Sequence, residues 1–76
     1  MMYPDGQTAR LGDRVCLGAD IYGILVCSID TSEYSEEYSR DDWAHLNGGV
    51  LILFEALGLI HYSAPEQNLR LISRRS

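Results

Sequence analysis

The stretch VLILFEALGLIHY, residues 50–62, decides the fold of this 76-residue chain. It holds two apolar runs, residues 50–54 and 59–62, separated by the four residues EALG. A connection of this length that ends in glycine is typical of a tight β-hairpin. Leu, Glu and Ala also favour helix, so residues 50–57 have a competing helical interpretation. We favour the hairpin because the run is short and is bracketed by glycines.

Three further segments have the pattern of a strand, and a predicted turn precedes the last of them. Residues 14–17 place Val and Leu in alternation with Arg and Cys, the pattern of a half-buried strand. Residues 21–29, IYGILVCSI, are apolar on both alternating sets, which predicts a longer strand that bends at Gly23 and passes from one face of a small sheet to another. Residues 63–68 read as a turn with one short 3₁₀ loop, and residues 69–72 as a final strand. Together with the hairpin, these segments predict five short strands.

The segment between the second and third predicted strands is strongly acidic. Residues 30–42, DTSEYSEEYSRDD, hold six of the eleven carboxylates and only one of the six arginines. The other five acids are balanced by the other five arginines, so the whole formal charge of -5 lies in this segment. Two tyrosines lie between the acids and Trp43 follows at once. The segment is therefore either a solvated loop or a surface that combines charge with aromatic contact area.

A single helical turn is predicted inside the acidic segment. Ser39 and Asp42 have the spacing of a capping box, a serine followed three residues later by a carboxylate. The turn would cover about residues 40–46 and end at the sequence Asn-Gly-Gly, because these residues tolerate positive φ. Trp43 has two interpretations, and we favour a core anchor over a contact residue because the chain has one Trp and one Phe and needs its large apolar groups inside.

Five short strands with one long loop predict an all-β protein that closes into a small barrel, because closure removes the edges that an open sheet would expose. Two segments, GDRVCL and YGILVCSID, resemble the opening of SH3-like barrels of the KOW type, and PEQNLRLI resembles their 3₁₀ turn and closing strand. More narrowly, the chain resembles a group of small bacterial SH3-like proteins, some of them similar to immunity proteins that protect bacteria from their own toxins. The strings that carry this resemblance are GILVCSIDTSEYS, Trp43, GVLI at residues 49–52 and GLIHY at residues 58–62. The resemblance implies a five-stranded SH3-like barrel with a long acidic loop that carries one short helical turn.

Length and composition set limits on this interpretation. A chain of 76 residues has room for one domain, residues 1–76, and buries only about 60% of its unfolded surface, which disfavours a large enclosed active site. The longest apolar run, residues 50–54, is too short to span a bilayer. The start, MMYPDGQTAR, has no basic segment followed by an apolar one, so we expect no secretory signal and a cytoplasmic protein. Cys16 and Cys27 match no metal-ligand spacing and are expected to be reduced, structural thiols.

We expect no enzymatic activity, no cofactor and no metal site. His61 lies on a predicted strand with no nucleophile at a recognisable spacing. His45 follows Asp41 at i+4, a spacing that suits a divalent metal, but the sequence offers no third ligand at a defined spacing. Glu36 and Glu37 are adjacent and would diverge in any regular structure, unlike the paired carboxylates of a glycosidase.

The leading functional hypothesis is a non-enzymatic protein-binding module. In it the acidic loop covers a basic site on a protein partner, and the resemblance implies an immunity-type inhibitor whose partner is a cognate toxin. Carboxylates would steer the encounter and tyrosines would supply contact area at low entropy cost. The predicted contact residues are Asp30, Glu33, Tyr34, Glu36, Glu37, Tyr38, Asp41, Asp42 and Trp43.

Two alternatives remain open. One is a KOW-like nucleic-acid or ribosome-associated domain, although the overall acidity disfavours it because phosphate contacts dominate such affinity. Its candidate residues are Arg10, Arg14, Arg70, Arg74 and Arg75. The other is a structural or oligomerising domain in which residues 50–54 pair at a sheet edge.

Overall fold

A computed structural model describes residues 1–74, with only the backbone of Ala44, and shows a mostly β protein. The strands are β1 (Arg14–Leu17), β2 (Ile21–Ser28), β3 (Val50–Phe54), β4 (Gly58–Tyr62) and β5 (Leu69–Ser73). One turn of helix, α1 (Arg40–Trp43), is followed by a 3₁₀ turn (Ala44–Leu46). The predicted strands, the hairpin and the helical turn are thus confirmed, with ends that differ by one residue at most. No helix in this part of the chain has the length and apolar character that a membrane crossing requires.

The five strands form one antiparallel sheet in the order β4-β3-β2-β1-β5. The chain runs as a meander from β1 to β4, and β5 then returns to pair with β1. β4 and β5 are the two edges, and within residues 1–74 no strand pairing joins them. The all-β class is therefore confirmed, whereas the sheet itself is open rather than closed.

Two bulges interrupt the ladders. The pairing of β2 with β3 shifts between Leu25 and Cys27, and the pairing of β1 with β5 shifts between Arg14 and Val15. The expected bend at Gly23 is wrong in position, since this residue pairs regularly with Val15 and with Phe54. Gly23 serves close packing instead, because a Cβ there would lie 2.7 Å from Phe54 Cδ1. The bulges increase local twist and curve the sheet.

The core lies on one face of the sheet and is filled from every strand except β4, whose inward side chains are only partly buried. Its buried members are Tyr3, Ala9, Val15, Leu25, Val50, Ile52, Phe54 and Leu69. The N-terminal segment, which folds back through a bridge between Met2 and Thr8, contributes the first two. Cys16 and Cys27 are also buried, and burial raises the pKa of the Cys27 thiol.

Trp43 is not a core anchor, which corrects the favoured prediction. The turn α1 buries none of its residues, and Trp43 is only half-buried. Its indole lies 6.0 Å from the Tyr38 ring and 6.3 Å from the His45 ring, between centroids. Inward-facing sheet residues such as Phe54 fill the core, so the helical turn has no apolar space to enter.

The hypothesis that residues 50–54 pair at a sheet edge is also wrong. These residues form β3, which lies between β2 and β4 and is paired on both sides. Their backbone groups are engaged in ladders and have nothing to offer a further strand. An edge contact would have to use β4 or β5.

Candidate functional site

The acidic loop, residues 30–43, is fastened to β2 at its start and forms a helical turn at its end. Ser28, the last residue of β2, and Glu33 exchange two backbone hydrogen bonds of 2.8 Å. At the other end, the amides of Asp42 and Trp43 donate to the Ser39 carbonyl over 3.2 and 3.1 Å, which begins α1. The Ser39 hydroxyl donates to Asp42 Oδ2 over 3.1 Å, so the predicted serine and carboxylate do meet. The loop is an ordered excursion with defined turns.

Glu33 is a structural residue of the loop. Its carboxylate accepts from Arg10 Nε at 2.8 Å and from Arg10 Nη2 at 3.2 Å, in a two-point pairing. It also accepts from the Thr31 hydroxyl at 2.7 Å and from the Leu11 amide at 3.3 Å. The hydrogen bonds from Arg10 and Thr31 stabilise the charged form and lower the pKa of Glu33 to about 2. The negative charge of Glu33 is therefore paired with Arg10 of the same molecule.

Asp30 is the second carboxylate used internally. Its Oδ1 accepts from the Gly49 amide over 2.9 Å and its Oδ2 contacts the terminal ammonium of Met1. The ammonium and the Gly49 hydrogen bond both lower the pKa of Asp30. Because Asp30 begins the loop and Gly49 directly precedes β3, this contact holds the start of the loop to the start of β3.

The remaining four carboxylates of the loop are exposed, namely those of Glu36, Glu37, Asp41 and Asp42. Among the described residues none of them forms an ion pair. The one arginine of the loop, Arg40, lies over the Tyr34 ring at 5.5 Å from its centroid. The loop therefore presents a concentrated, unneutralised negative charge to solvent.

Aromatic side chains accompany these carboxylates. Tyr34, Tyr38 and Trp43 are all half-buried, so each presents part of its ring to solvent. The tilted contact of Tyr38 with Trp43 and the stacking of Trp43 on His45 form a cluster of three rings, whereas the Tyr34 ring lies against Arg40. All nine predicted contact residues are exposed or half-buried, and two of them, Asp30 and Glu33, are also tied to other parts of the molecule as anchors.

Three of the five arginines proposed for nucleic-acid binding contact other groups of the same chain, although their side chains are exposed. Arg10 pairs with Glu33, Arg70 donates to the Gly18 carbonyl over 3.3 Å, and Arg74 Nε lies 3.2 Å from Asp13 Oδ1. Arg14 is exposed, and Arg75 lies outside the described residues. Of the four described arginines in this set, Arg14 alone forms no hydrogen bond or ion pair through its side chain within the described residues.

Asp13 is a fully buried carboxylate that the sequence did not single out. Its Oδ2 accepts from the Tyr3 hydroxyl at 2.7 Å and from the Arg10 amide at 2.9 Å. Its Oδ1 has the charge of Arg74 nearby but no well-aligned hydrogen bond. Burial and the bond to Asp13 raise the pKa of Tyr3. The cluster ties the N-terminal segment and Arg74 to the start of β1, which is a structural role.

The outer face of the sheet carries a second feature that sequence reasoning missed. A groove of about 740 Å³ crosses it, with Tyr22, Ile24, Leu53 and Ile72 exposed along its walls. The signal was present in the sequence, because β2 is apolar on both alternating sets. The prediction that β2 passes from one face to the other is wrong. One alternating set of its side chains faces the core, and the other set, Tyr22 and Ile24, stays exposed on the outer face.

The two histidines have local contacts. His61 Nε2 lies 2.9 Å from the Gly48 carbonyl, and His45 stacks on Trp43. Within residues 1–74 no three histidine, cysteine, aspartate or glutamate side chains converge in a way that could hold a metal ion. The i+4 pair of Asp41 and His45 therefore lacks a third ligand in the described part of the chain.

Comparisons of the chain with protein-family models, with curated proteins and with solved structures find no match.

Proposed function

We propose that this protein is a non-enzymatic binding module that covers a basic site on a protein partner with its acidic loop. The observation that carries the proposal is that the six acids of the loop have two different roles. Asp30 and Glu33 hold the loop in place, and the other four carboxylates remain exposed and unpaired in the described structure beside half-buried aromatic rings. A held loop loses little conformational entropy when a partner binds.

The chemistry of the loop suits a cationic protein surface. Clustered carboxylates raise the rate of encounter with a basic patch, and this effect weakens as salt screens the charges. Tyr and Trp rings add apolar contact area with few rotatable bonds. With the resemblance to small bacterial SH3-like proteins, we propose an immunity-type inhibitor that acts in the cytoplasm on a toxin with a basic active site or substrate groove.

We also propose that the open sheet is an incompletely closed SH3-like barrel. The long loop lies between β2 and β3, where the resemblance expects it, whereas the segment before β5 contains a single hydrogen-bonded turn, with the Leu69 amide donating to the Glu66 carbonyl, and not the expected 3₁₀ turn. The bulges, at Val26 in β2 and at Ile72 in β5, give the sheet curvature toward its single core. Fold similarity of this kind supports a scaffold and not a role, so the functional proposal depends on the loop.

The test uses two variants matched in charge. Glu36→Gln, Glu37→Gln and Asp41→Asn together remove three exposed carboxylates from the loop and leave the anchors intact. In the control, Asp20→Asn, Glu55→Gln and Glu66→Gln remove three acids from other parts of the chain. Partners captured from the native cell by the wild-type protein are identified by mass spectrometry, and their affinities for all three proteins are measured at two salt concentrations.

The proposal expects the loop variant to bind about tenfold or more weakly, with a reduced dependence on salt. The control should bind as the wild type does. For a toxin partner, growth rescue by wild type and control but not by the loop variant would support the immunity role. Equal binding by the loop variant and the wild type would show that this surface is not the one used.

The nucleic-acid hypothesis makes an opposite prediction. Filter binding to RNA and DNA at low salt should then show an affinity that falls steeply as salt rises. It should also depend on Arg14, the exposed arginine with no internal partner in the described structure.

A further inference from the structure

One edge of the sheet lacks the features that usually prevent strands from pairing between molecules. β4 is hydrogen-bonded to β3 through five consecutive residue pairs without a bulge, and on its other side no strand lies within residues 1–74. Its alternate N–H and C=O groups therefore point away from the sheet.

The opposite edge, β5, is protected in two ways. A bulge displaces Ile72 from the regular ladder with β1, and Arg70 and Arg74 place positive charge on the strand and just after it. Bulges and basic side chains are common means by which proteins block unwanted pairing at an edge. β4 has neither, since GLIHY contains no lysine, arginine, carboxylate or proline.

The surface beside β4 is suited to a second copy of itself. Leu53, Leu57 and Leu59 expose 43%, 49% and 38% of their surface close to this edge, where Leu59 pairs with Leu53. An antiparallel approach of two β4 strands brings uncharged, partly apolar side chains together about a two-fold axis. The acidic loop joins β3 at the end near Tyr62, so this arrangement puts the two loops at opposite ends of the interface.

We propose that β4 pairs in an antiparallel manner with β4 of a second copy, joining the two sheets into one continuous sheet. The proposal does not depend on the proposed function of the acidic loop. A five-residue edge with a few leucines buries less surface than a standard protein interface, so the association is weak and appears only at high protein concentration.

Analytical ultracentrifugation from about 10 μM to about 1 mM tests this proposal, because weak dimers have dissociation constants in this range. The wild-type mass should rise from 8.5 kDa toward twice that value. Leu59→Lys adds a charge at the edge on an exposed side chain and should weaken the dimer about tenfold or more. Ile72→Lys makes the same change on β5, the opposite edge, where Ile72 is 48% exposed, and should weaken the dimer by less than about threefold.

Far-UV circular dichroism of each variant checks that the sheet is retained. Hydrogen exchange provides a second measurement, in which alternate amides of β4 should gain protection as the wild-type concentration rises. A wild-type protein that stays monomeric throughout would refute the proposal. A dimer that Leu59→Lys leaves unchanged, or that both variants weaken equally, would also refute it by assigning the contact to another surface.

Discussion

Replacing Glu33 by glutamine should destabilise the protein although the residue lies in a loop. In the wild type its carboxylate accepts both hydrogen bonds from Arg10 and one each from Thr31 and Leu11. Glutamine keeps one oxygen for Thr31 and Leu11 but has no charge to pair with Arg10. The loop would then lose the contact that holds it to the segment before β1.

The size of the effect follows from the pKa of Glu33, which falls from an ordinary 4.5 to about 2 in the folded protein. At about 1.4 kcal/mol per unit of pKa, this corresponds to at most about 3 kcal/mol of stability. The side chain of Arg10 is 50% exposed and that of Glu33 is 26% exposed, so solvent screens the pair. We therefore expect a loss of about 1 to 2 kcal/mol at pH 7.

The effect has a defined pH dependence. Folding lowers the pKa of Glu33, so its ionised carboxylate stabilises the folded state. This contribution to stability is complete above pH 4.5 and is lost as the pH falls through about 2. The difference in unfolding free energy between wild type and Glu33→Gln should thus be constant from about pH 6 to 7 and about half as large at pH 3.

Urea unfolding at pH 7, 4.5 and 3 measures this difference, with far-UV circular dichroism for the sheet and Trp43 fluorescence for the loop. Agreement between the two signals would justify a two-state treatment. Glu36→Gln is the matched control, since it removes the same charge from an exposed side chain of the same loop, and should change stability by less than about 0.5 kcal/mol. A Glu33→Gln effect no larger than that of the control, or one independent of pH, would show that the charge of Glu33 does not stabilise the fold.

Two further substitutions test the packing. Gly23→Ala should destabilise the fold by about 1 to 3 kcal/mol, because its Cβ would lie 2.7 Å from Phe54 Cδ1 and 2.9 Å from the Leu53 carbonyl oxygen, which the β-ladder holds in place. A variant with the same melting temperature as the wild type would contradict this. Asp13→Ala should cost about 2 to 4 kcal/mol, since it leaves the buried Tyr3 hydroxyl and the Arg10 amide without their acceptor, while Arg74 is 40% exposed and can be solvated. Tyr3→Phe should cost less, about 1 to 2 kcal/mol, because Asp13 keeps its other contacts. The reverse order in urea unfolding would show that Asp13 is not the centre of this cluster.

The strands were predictable because their signals are local. Residues 14–17 and 50–54 match β1 and β3, and only the ends of β2, β4 and β5 shift by one residue. Alternation of side chains and the placement of glycine act within a few residues, so they can be read without knowledge of the rest of the chain. The helical turn was predictable for the same reason, since the contact between Ser39 and Asp42 spans three residues.

The candidate site was only partly predictable. Its charge and aromatic content are properties of composition, and the structure does bring Glu36, Glu37 and Asp41 to the surface. Nothing local distinguishes these acids from Glu33, whose partner Arg10 lies 23 residues away. The buried Asp13 likewise has its ionic partner, Arg74, 61 residues away.

Short segments of the sequence are enough to predict a small five-stranded β protein with its net charge concentrated in one loop. The alternation of apolar side chains, the turn residues and the charge composition are all properties of such short segments. Only the tertiary structure decided which acids of that loop are anchors, which aromatic rings stay outside the core and which strand is left at an unprotected edge. These properties depend on contacts between segments distant in sequence, and pairing energies between such segments are set by the arrangement of the whole sheet.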